Sequence, residues 1–133
     1  MPRHFLLYAD GGSRGNPGEA AFGAVISEDG KVVVELSERI GVATNNVAEY
    51  SGLVAGLQAI NRLDPEAKVL VRMDSKLIVE QMSGKWKIKN SEMKKMALKA
   101  RDAHPANLIN YEWIPREMNS HADALVNRAL DYF

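Results

Sequence analysis

Short apolar runs bounded by turn residues alternate along this chain with stretches in which apolar residues recur three and four positions apart. The first pattern predicts buried strands and the second predicts amphipathic helices. We predict five strands and four helices in the order βββαβααβα. The predicted strands cover residues 4–9, 20–27, 31–40, 68–73 and 108–114. The predicted helices begin near residues 45, 75, 91 and 120.

The order of these elements limits the topology of the sheet. A strand, a helix and a second strand in succession favour parallel pairing with a right-handed crossover. Strands one, four and five are therefore predicted to be parallel neighbours, and strands one to three to form an antiparallel meander at one edge. We predict a single α/β domain over residues 1–133, with a five-stranded mixed sheet and helices on both faces.

Four carboxylates occupy comparable positions in these elements. Asp10 follows the first strand and precedes a segment with four glycines and a proline, which we interpret as a loop that begins where the strand leaves the sheet. Asp74 follows the fourth strand, and Glu49 and Asp123 lie near the starts of the first and last helices. Because open α/β sheets bind ligands at the carboxyl ends of their strands, we predict that all four side chains converge there.

Carboxylates that share a small site raise one another's pKa, and divalent cations remove this repulsion. Mg²⁺ prefers oxygen ligands, and two such ions about 4 Å apart can promote phosphodiester hydrolysis. Each acid also has a local alternative role. Asp74 and Ser75 can cap the following helix, and Glu49 and Asp123 can interact with helix dipoles. The glycine segment lacks the ending of a nucleotide-binding P-loop and can be a flexible hairpin loop.

Composition restricts the class of protein further. A chain of 133 residues with 46% hydrophobic content can form one globular core. It contains no cysteine, which excludes disulfides and thiolate metal sites and fits a reducing cytoplasm. No apolar run approaches the ~20 residues needed to span a bilayer, and the first strand begins too early to leave room for a signal peptide. We therefore expect a cytoplasmic protein with no membrane partner.

Charge is distributed unevenly along the chain. The net charge is zero, but residues 76–101 carry eight basic and two acidic residues, a net charge of +6. Such a segment favours contact with a polyanion such as nucleic acid, although an ordinary solvated helix face has the same composition. Trp86 lies among lysines of this segment, where it can stack on a base or pack on the core.

The motifs around the four carboxylates together resemble the type 1 ribonuclease H (ribonuclease HI) family. The resemblance is carried by residues 8–18, 44–50, 73–76 and 113–123, which occur in the family's order and cover nearly the whole chain. It implies an endonuclease that hydrolyses the RNA strand of RNA–DNA hybrids by two-metal-ion catalysis with Mg²⁺ or Mn²⁺. The implied products carry a 5′-phosphate and a 3′-hydroxyl.

The resemblance also implies roles for individual residues. The matching metal-binding carboxylates are Asp10, Glu49, Asp74 and Asp123. Contacts to RNA 2′-hydroxyls near the cut are implied for Gly12, Asn16 and Asn45. Thr44 matches a contact to a phosphate of the DNA strand. A 2′-hydroxyl distinguishes RNA from DNA, so polar groups beside the metal site suit this substrate.

Three departures from the family pattern affect the expected contacts. The connection at residues 83–91 is short, as in compact members without the long basic insertion, and Trp86 with neighbouring lysines is expected to supply part of its function. Arg116 stands near the position where many members have a catalytic histidine, and we assign it that role. Lys76 replaces a glutamine that reads the minor groove. We expect His4, His104 and His121 to be surface residues.

Two other functions fit the same residues. A related nuclease that also cuts double-stranded RNA would have an identical site, and a non-catalytic hybrid-binding module would keep the fold. The four carboxylates argue against the module, because without metal they repel phosphate. We expect a monomer, and the chain can be one domain of a longer natural protein.

Overall fold

The computed structural model describes residues 2–132, and Met1 and Phe133, the two ends of the predicted domain, lie outside the described residues. The strands are β1 His4–Gly15, β2 Gly18–Glu28, β3 Lys31–Ala43, β4 Lys68–Met73 and β5 Ile109–Trp113. The helices are α1 Asn45–Leu63, α2 Lys76–Met82, α3 Ser91–Ala103 and α4 Ser120–Asp131. The predicted order βββαβααβα is confirmed, with short 3₁₀ turns on either side of β5.

The strands form one sheet in the order β3-β2-β1-β4-β5. β1, β4 and β5 are parallel neighbours, as predicted, and β1, β2 and β3 pair antiparallel. Leu7 lies opposite Val71, which lies opposite Tyr111, so the centre of the sheet is built from apolar side chains on one face. β1 therefore connects the meander to the parallel half and occupies the middle of the molecule.

Helices cover both faces of the sheet, as predicted. On one face Leu7, Ala24 and Val71 belong to a core with Leu53 and Leu57 of α1, and α2 and α3 add to this core. On the other face α4 packs against β2, where Val25 clusters with Ala122 and Leu125. Among residues 2–132, none of the helices combines the length and apolar character needed to cross a membrane.

The glycine-rich segment is strand rather than the predicted loop. β1 continues to Gly15 and pairs with β2 as far as Gly18, so the prediction that β1 ends near residue 9 was wrong. Successive glycines suggested a flexible segment. In the structure, the lack of a side chain at Gly11 instead lets α1 pack against the backbone of β1. A Cβ atom on Gly11 would lie 2.2 Å from the Ala48 carbonyl carbon. Close packing of α1, rather than flexibility, explains this glycine.

His104 is buried, which corrects the prediction that it lies on the surface. The side chain is 2% exposed, its Nε2 lies 2.7 Å from the Ala67 carbonyl oxygen, and its Nδ1 lies 3.1 Å from Asn61 Nδ2. Because a carbonyl only accepts, His104 Nε2 carries a proton and donates it to Ala67. The imidazole thus joins the end of α3 to α1 and to the start of β4.

We expect His104→Ala to destabilise the protein by about 2–4 kcal/mol, because it opens a cavity and leaves two polar groups without partners. Urea denaturation measures this loss. His4→Ala is the matched control, since His4 is exposed, and it should leave the midpoint unchanged. Equal midpoints for the two variants would contradict the structural role of His104.

Candidate active site

Asp10 lies where β1 and β4 separate. The parallel pairing of these strands ends at Tyr8 and Arg72, two residues before Asp10 and Asp74. On its other side Asp10 stays paired with Gly23 of β2, so it is held within the sheet and is only 7% exposed. The separation places two carboxylates beyond the last parallel pair.

Glu49 reaches this edge because α1 packs unusually close to β1. A Cβ atom on Gly11 would lie 2.4 Å from the Glu49 nitrogen, and one on Gly52 would lie 2.6 Å from the Asp10 carbonyl oxygen. Two glycines, one on the strand and one on the helix, therefore bring the backbones together. Glu49 lies beyond the first turn of α1, which contains no acidic residue, so a helix-dipole role does not explain its position.

The Asp74 side chain does not cap α2. The cap is Ser75, whose hydroxyl accepts a hydrogen bond from the Ile78 amide at 3.3 Å. Asp74 Oδ1 instead accepts from Asn119 Nδ2 at 2.9 Å, and the Asp74 carbonyl accepts from the Trp113 indole at 3.2 Å. Asp74 is thus held by two residues from the far end of the chain.

A cleft of about 330 Å³ collects most of the residues predicted for the site. Its lining includes the four carboxylates Asp10, Glu49, Asp74 and Asp123. It also includes the predicted residues Arg116, Gly12 and Asn45, and Ser13, which follows Gly12 in the chain. Asp123 enters from the first turn of α4. Within residues 2–132, no three acidic or imidazole side chains are close enough together to form a ready-made metal site.

Burial and mutual repulsion change the acidity of two of these carboxyls. Burial is the largest cause that raises the pKa of Asp10 to about 8, and the charges of Asp74, Glu49 and Asp123 add to it. Burial likewise raises the pKa of Glu49 to about 7, with a further rise from Asp74 and opposing effects of Ser75 and Arg116. Partly or fully buried carboxylates that repel one another are a donor set suited to a hard divalent cation.

These shifts predict how stability depends on pH without metal. Above pH 4 the unfolded chain loses the Asp10 proton, whereas the folded chain keeps it until about pH 8. The folded state then binds more protons, so its stability falls as pH rises through this range. We expect Asp10→Asn to be more stable than the native protein by roughly 5 kcal/mol at pH 8, and nearly equal to it at pH 4. Thermal unfolding in EDTA measures the difference, and parallel pH profiles would contradict the expectation.

The residues implied to contact RNA form one hydrogen-bonded group beside the cleft. Asn16 Oδ1 accepts from the Asn45 amide at 3.1 Å, and Asn45 Oδ1 accepts from the Ser13 amide at 2.8 Å. Both side chains use their oxygens to tie the β1–β2 hairpin to the start of α1. Among the described residues their Nδ2 groups have no partner, so they remain as donors on an exposed surface. Thr44 is the cap of α1, and its hydroxyl accepts from the Val47 amide at 3.2 Å.

Besides Asn16 and Thr44, two other predicted substrate residues, Lys76 and Trp86, lie outside the cleft. Lys76 begins α2, with its ammonium 6.0 Å from the centre of the Trp113 ring. Trp86 is 45% exposed, so it is not packed in the core. It lines a separate groove with Lys87, Lys94 and Arg101. The groove thus combines an aromatic surface with positive charge, which is the combination that suits a single nucleic-acid strand.

Asn119 is a site residue that the sequence did not reveal. Asn119 occupies the cap position directly before α4, but its side chain makes no cap hydrogen bond. It is 1% exposed and contacts Asp74 and the Ala9 carbonyl instead. The sequence did not predict these contacts, because an asparagine just before a helix has the same local sequence whether it caps the helix or is buried.

The fold and the cleft together define a class of protein: an α/β domain in which carboxylates line a cleft where two central parallel strands separate. A family model described as "Reverse transcriptase-like" matches residues 8–129. Bifunctional protein Rv2228c of Mycobacterium tuberculosis is 52% identical over 130 residues, which are 95% of this chain and 35% of that protein. Ribonuclease HI of Halobacterium salinarum is 41% identical, over 93% of this chain and 63% of that protein.

Solved structures agree with these sequence relatives. The N-terminal RNase H domain of Rv2228c has a TM-score of 0.90 and 48% identity, over 97% of this chain and 94% of that chain. LC11-RNase H1, solved in complex with an RNA/DNA hybrid, has a TM-score of 0.89 and 40% identity, over 96% of both chains. The chain belongs to the type 1 ribonuclease H family, in its compact form. It spans about a third of the mycobacterial relative and less than two thirds of the halobacterial one.

Proposed function

We propose that this protein is an endonuclease that hydrolyses the RNA strand of RNA–DNA hybrids with divalent metal ions. The observation that carries the proposal is the meeting of four carboxylates in one cleft, two of them with strongly raised pKa values. A binding surface for nucleic acid has no use for buried acids, because they repel phosphate. The hybrid bound to LC11-RNase H1 supports the choice of substrate.

The four carboxylates would hold two Mg²⁺ ions, with Mn²⁺ able to substitute. Asp10 and Asp74, at the separated strand ends, would hold the ions together with Glu49 and Asp123. Bound ions would activate a water for attack on the scissile phosphate and stabilise the leaving oxygen. The site suits cations because its donor atoms are carboxylate oxygens, and the charges of these carboxylates repel one another.

Recognition of the RNA strand would come from the group formed by Ser13, Asn16 and Asn45. The Asn16 and Asn45 oxygens are occupied within this group. Their NH₂ groups therefore keep a set direction and would donate to 2′-hydroxyls of RNA, which DNA lacks. Arg116 is exposed and close enough to lower the pKa of Glu49, and it would interact with the phosphate at the cut.

The remaining features of the proposal concern products and partners. Attack of water on the phosphorus with departure of the 3′-oxygen would leave a 5′-phosphate and a 3′-hydroxyl. The groove around Trp86 would hold a more distant part of the hybrid. We propose a cytoplasmic monomer, and the length of the mycobacterial relative supports a domain that also occurs in longer proteins.

The experiment that tests the proposal is cleavage of an end-labelled hybrid beside duplex RNA and duplex DNA of the same sequence. With Mg²⁺ or Mn²⁺ we expect cuts in the RNA strand of the hybrid alone. Cutting of duplex RNA as well would assign the broader nuclease. Tight binding of the hybrid without cleavage in either Mg²⁺ or Mn²⁺ would contradict the proposal that the protein is an enzyme. It would indicate a hybrid-binding module instead.

A further inference from the structure

Asn119 links the three segments that carry Asp10, Asp74 and Asp123. Its Nδ2 donates to the Ala9 carbonyl at 3.0 Å and to Asp74 Oδ1 at 2.9 Å. Ala9 directly precedes Asp10, and Asn119 itself directly precedes α4, which carries Asp123. One buried amide therefore joins β1, the end of β4 and the start of α4.

The orientation of this amide is fixed by chemistry. Both groups that Asn119 faces are acceptors, so only the NH₂ end can point toward them. Its Oδ1 is buried and has no hydrogen-bond partner among residues 2–132. Buried acceptors are usually satisfied, and an exception calls for an explanation. Asn119 therefore donates two hydrogen bonds through Nδ2 while its Oδ1 accepts none from the described residues.

We propose that Asn119 is a positioning residue that sets the direction of the Asp74 carboxylate for metal binding. A carboxylate with one oxygen held by a fixed donor cannot rotate freely, so Asp74 Oδ2 keeps its direction. With 1% exposure, Asn119 has no surface with which to contact a hybrid. The inference rests on the proposed function, because it assigns Asp74 to the metal site.

The test compares Asn119→Ala with Asn61→Ala. Both variants lose an asparagine side chain that donates a hydrogen bond within the fold, but Asn61 pairs with His104, away from the cleft. Outer partners of metal ligands typically contribute 10–100-fold to metal affinity or activity. We expect Asn119→Ala to bind Mn²⁺ at least 10-fold more weakly by calorimetry and to lower kcat on hybrid, with KM changed less than twofold. Asn61→Ala should keep the native Mn²⁺ affinity and kcat, although it unfolds at a lower temperature.

Native-like Mn²⁺ affinity and kcat in folded Asn119→Ala would overturn the inference. If native protein itself neither binds metal nor cuts hybrid, the proposed function fails instead, so the two failures are distinct. If Asn119→Ala does not fold, the native protein still provides a test. On addition of Mg²⁺ the side-chain amide resonances of Asn119 should shift while those of Asn61 stay in place. An unmoved Asn119 amide, with shifts at the Asp74 backbone, would contradict the proposal.

Discussion

Asp74→Asn should reduce hybrid cleavage by about 1,000-fold or more while the protein stays folded. The amide keeps an oxygen that can accept from Asn119, so the local hydrogen bond survives. What is lost is one negative charge at the point where β1 and β4 separate. Metal stabilisation of a reacting phosphate is worth several kcal/mol, and each 1.4 kcal/mol is a tenfold change in rate.

The measurement is single-turnover cleavage of a labelled hybrid by native and variant protein at saturating Mg²⁺. Glu112→Gln is a suitable control, because Glu112 is an exposed acid on the neighbouring strand that pairs with Arg72. It removes the same charge outside the cleft and should change the rate less than twofold. Retention of a tenth or more of the native rate by Asp74→Asn would remove Asp74 from the proposed metal site.

Gly11→Ala should destabilise the protein by about 4 kcal/mol or more, which is a large part of the total stability of a small domain. The added Cβ would overlap the Ala48 carbonyl carbon at 2.2 Å and the Glu49 nitrogen at 2.4 Å. Both atoms are backbone of α1, so no side chain can turn away to make room. Relief requires α1 to move off β1, which also carries Glu49 away from Asp10.

Gly12→Ala is the matched control for this substitution. A Cβ on Gly12 meets only a methyl of Val126, at 3.6 Å, which is an ordinary contact. Both glycines lie in β1, where alanine is slightly favoured over glycine, so Gly12→Ala should be neutral or stabilising by about 0.5 kcal/mol. Urea denaturation of the two variants decides the point. Similar midpoints for Gly11→Ala and native protein would show that close packing of α1 is not required.

Much of the fold followed from the sequence because its signals are local. The helical spacing of Val47, Tyr50, Val54 and Leu57 predicted α1. The short apolar run before Asp74 predicted β4. Parallel pairing of β1, β4 and β5 followed from the alternation of strands and helices. The positions of the four carboxylates predicted that they meet, although each acid also had a local alternative role, and the resemblance to ribonuclease H strengthened the prediction. In the structure all four line one cleft.

What escaped prediction depends on contacts between distant segments. Gly11 and Gly12 suggest a loop when only their neighbours are considered, yet Gly11 packs on a helix 37 residues away along the chain. His104 resembles a surface residue at a helix end until Asn61 and Ala67 are seen beside it. Asn119 has the position of a cap, and its partners lie 45 and 110 residues away. No local pattern records such partners.

The central claim is that the carboxylate cleft uses divalent metal to cut RNA paired with DNA. The most direct test is a titration of metal-free protein with Mg²⁺ on one hybrid whose RNA and DNA strands carry different labels. We expect no cleavage in EDTA, and then cleavage of the RNA strand that rises with Mg²⁺ while the DNA strand stays intact. Cutting of the DNA strand, or cutting of RNA that persists in EDTA, would contradict it.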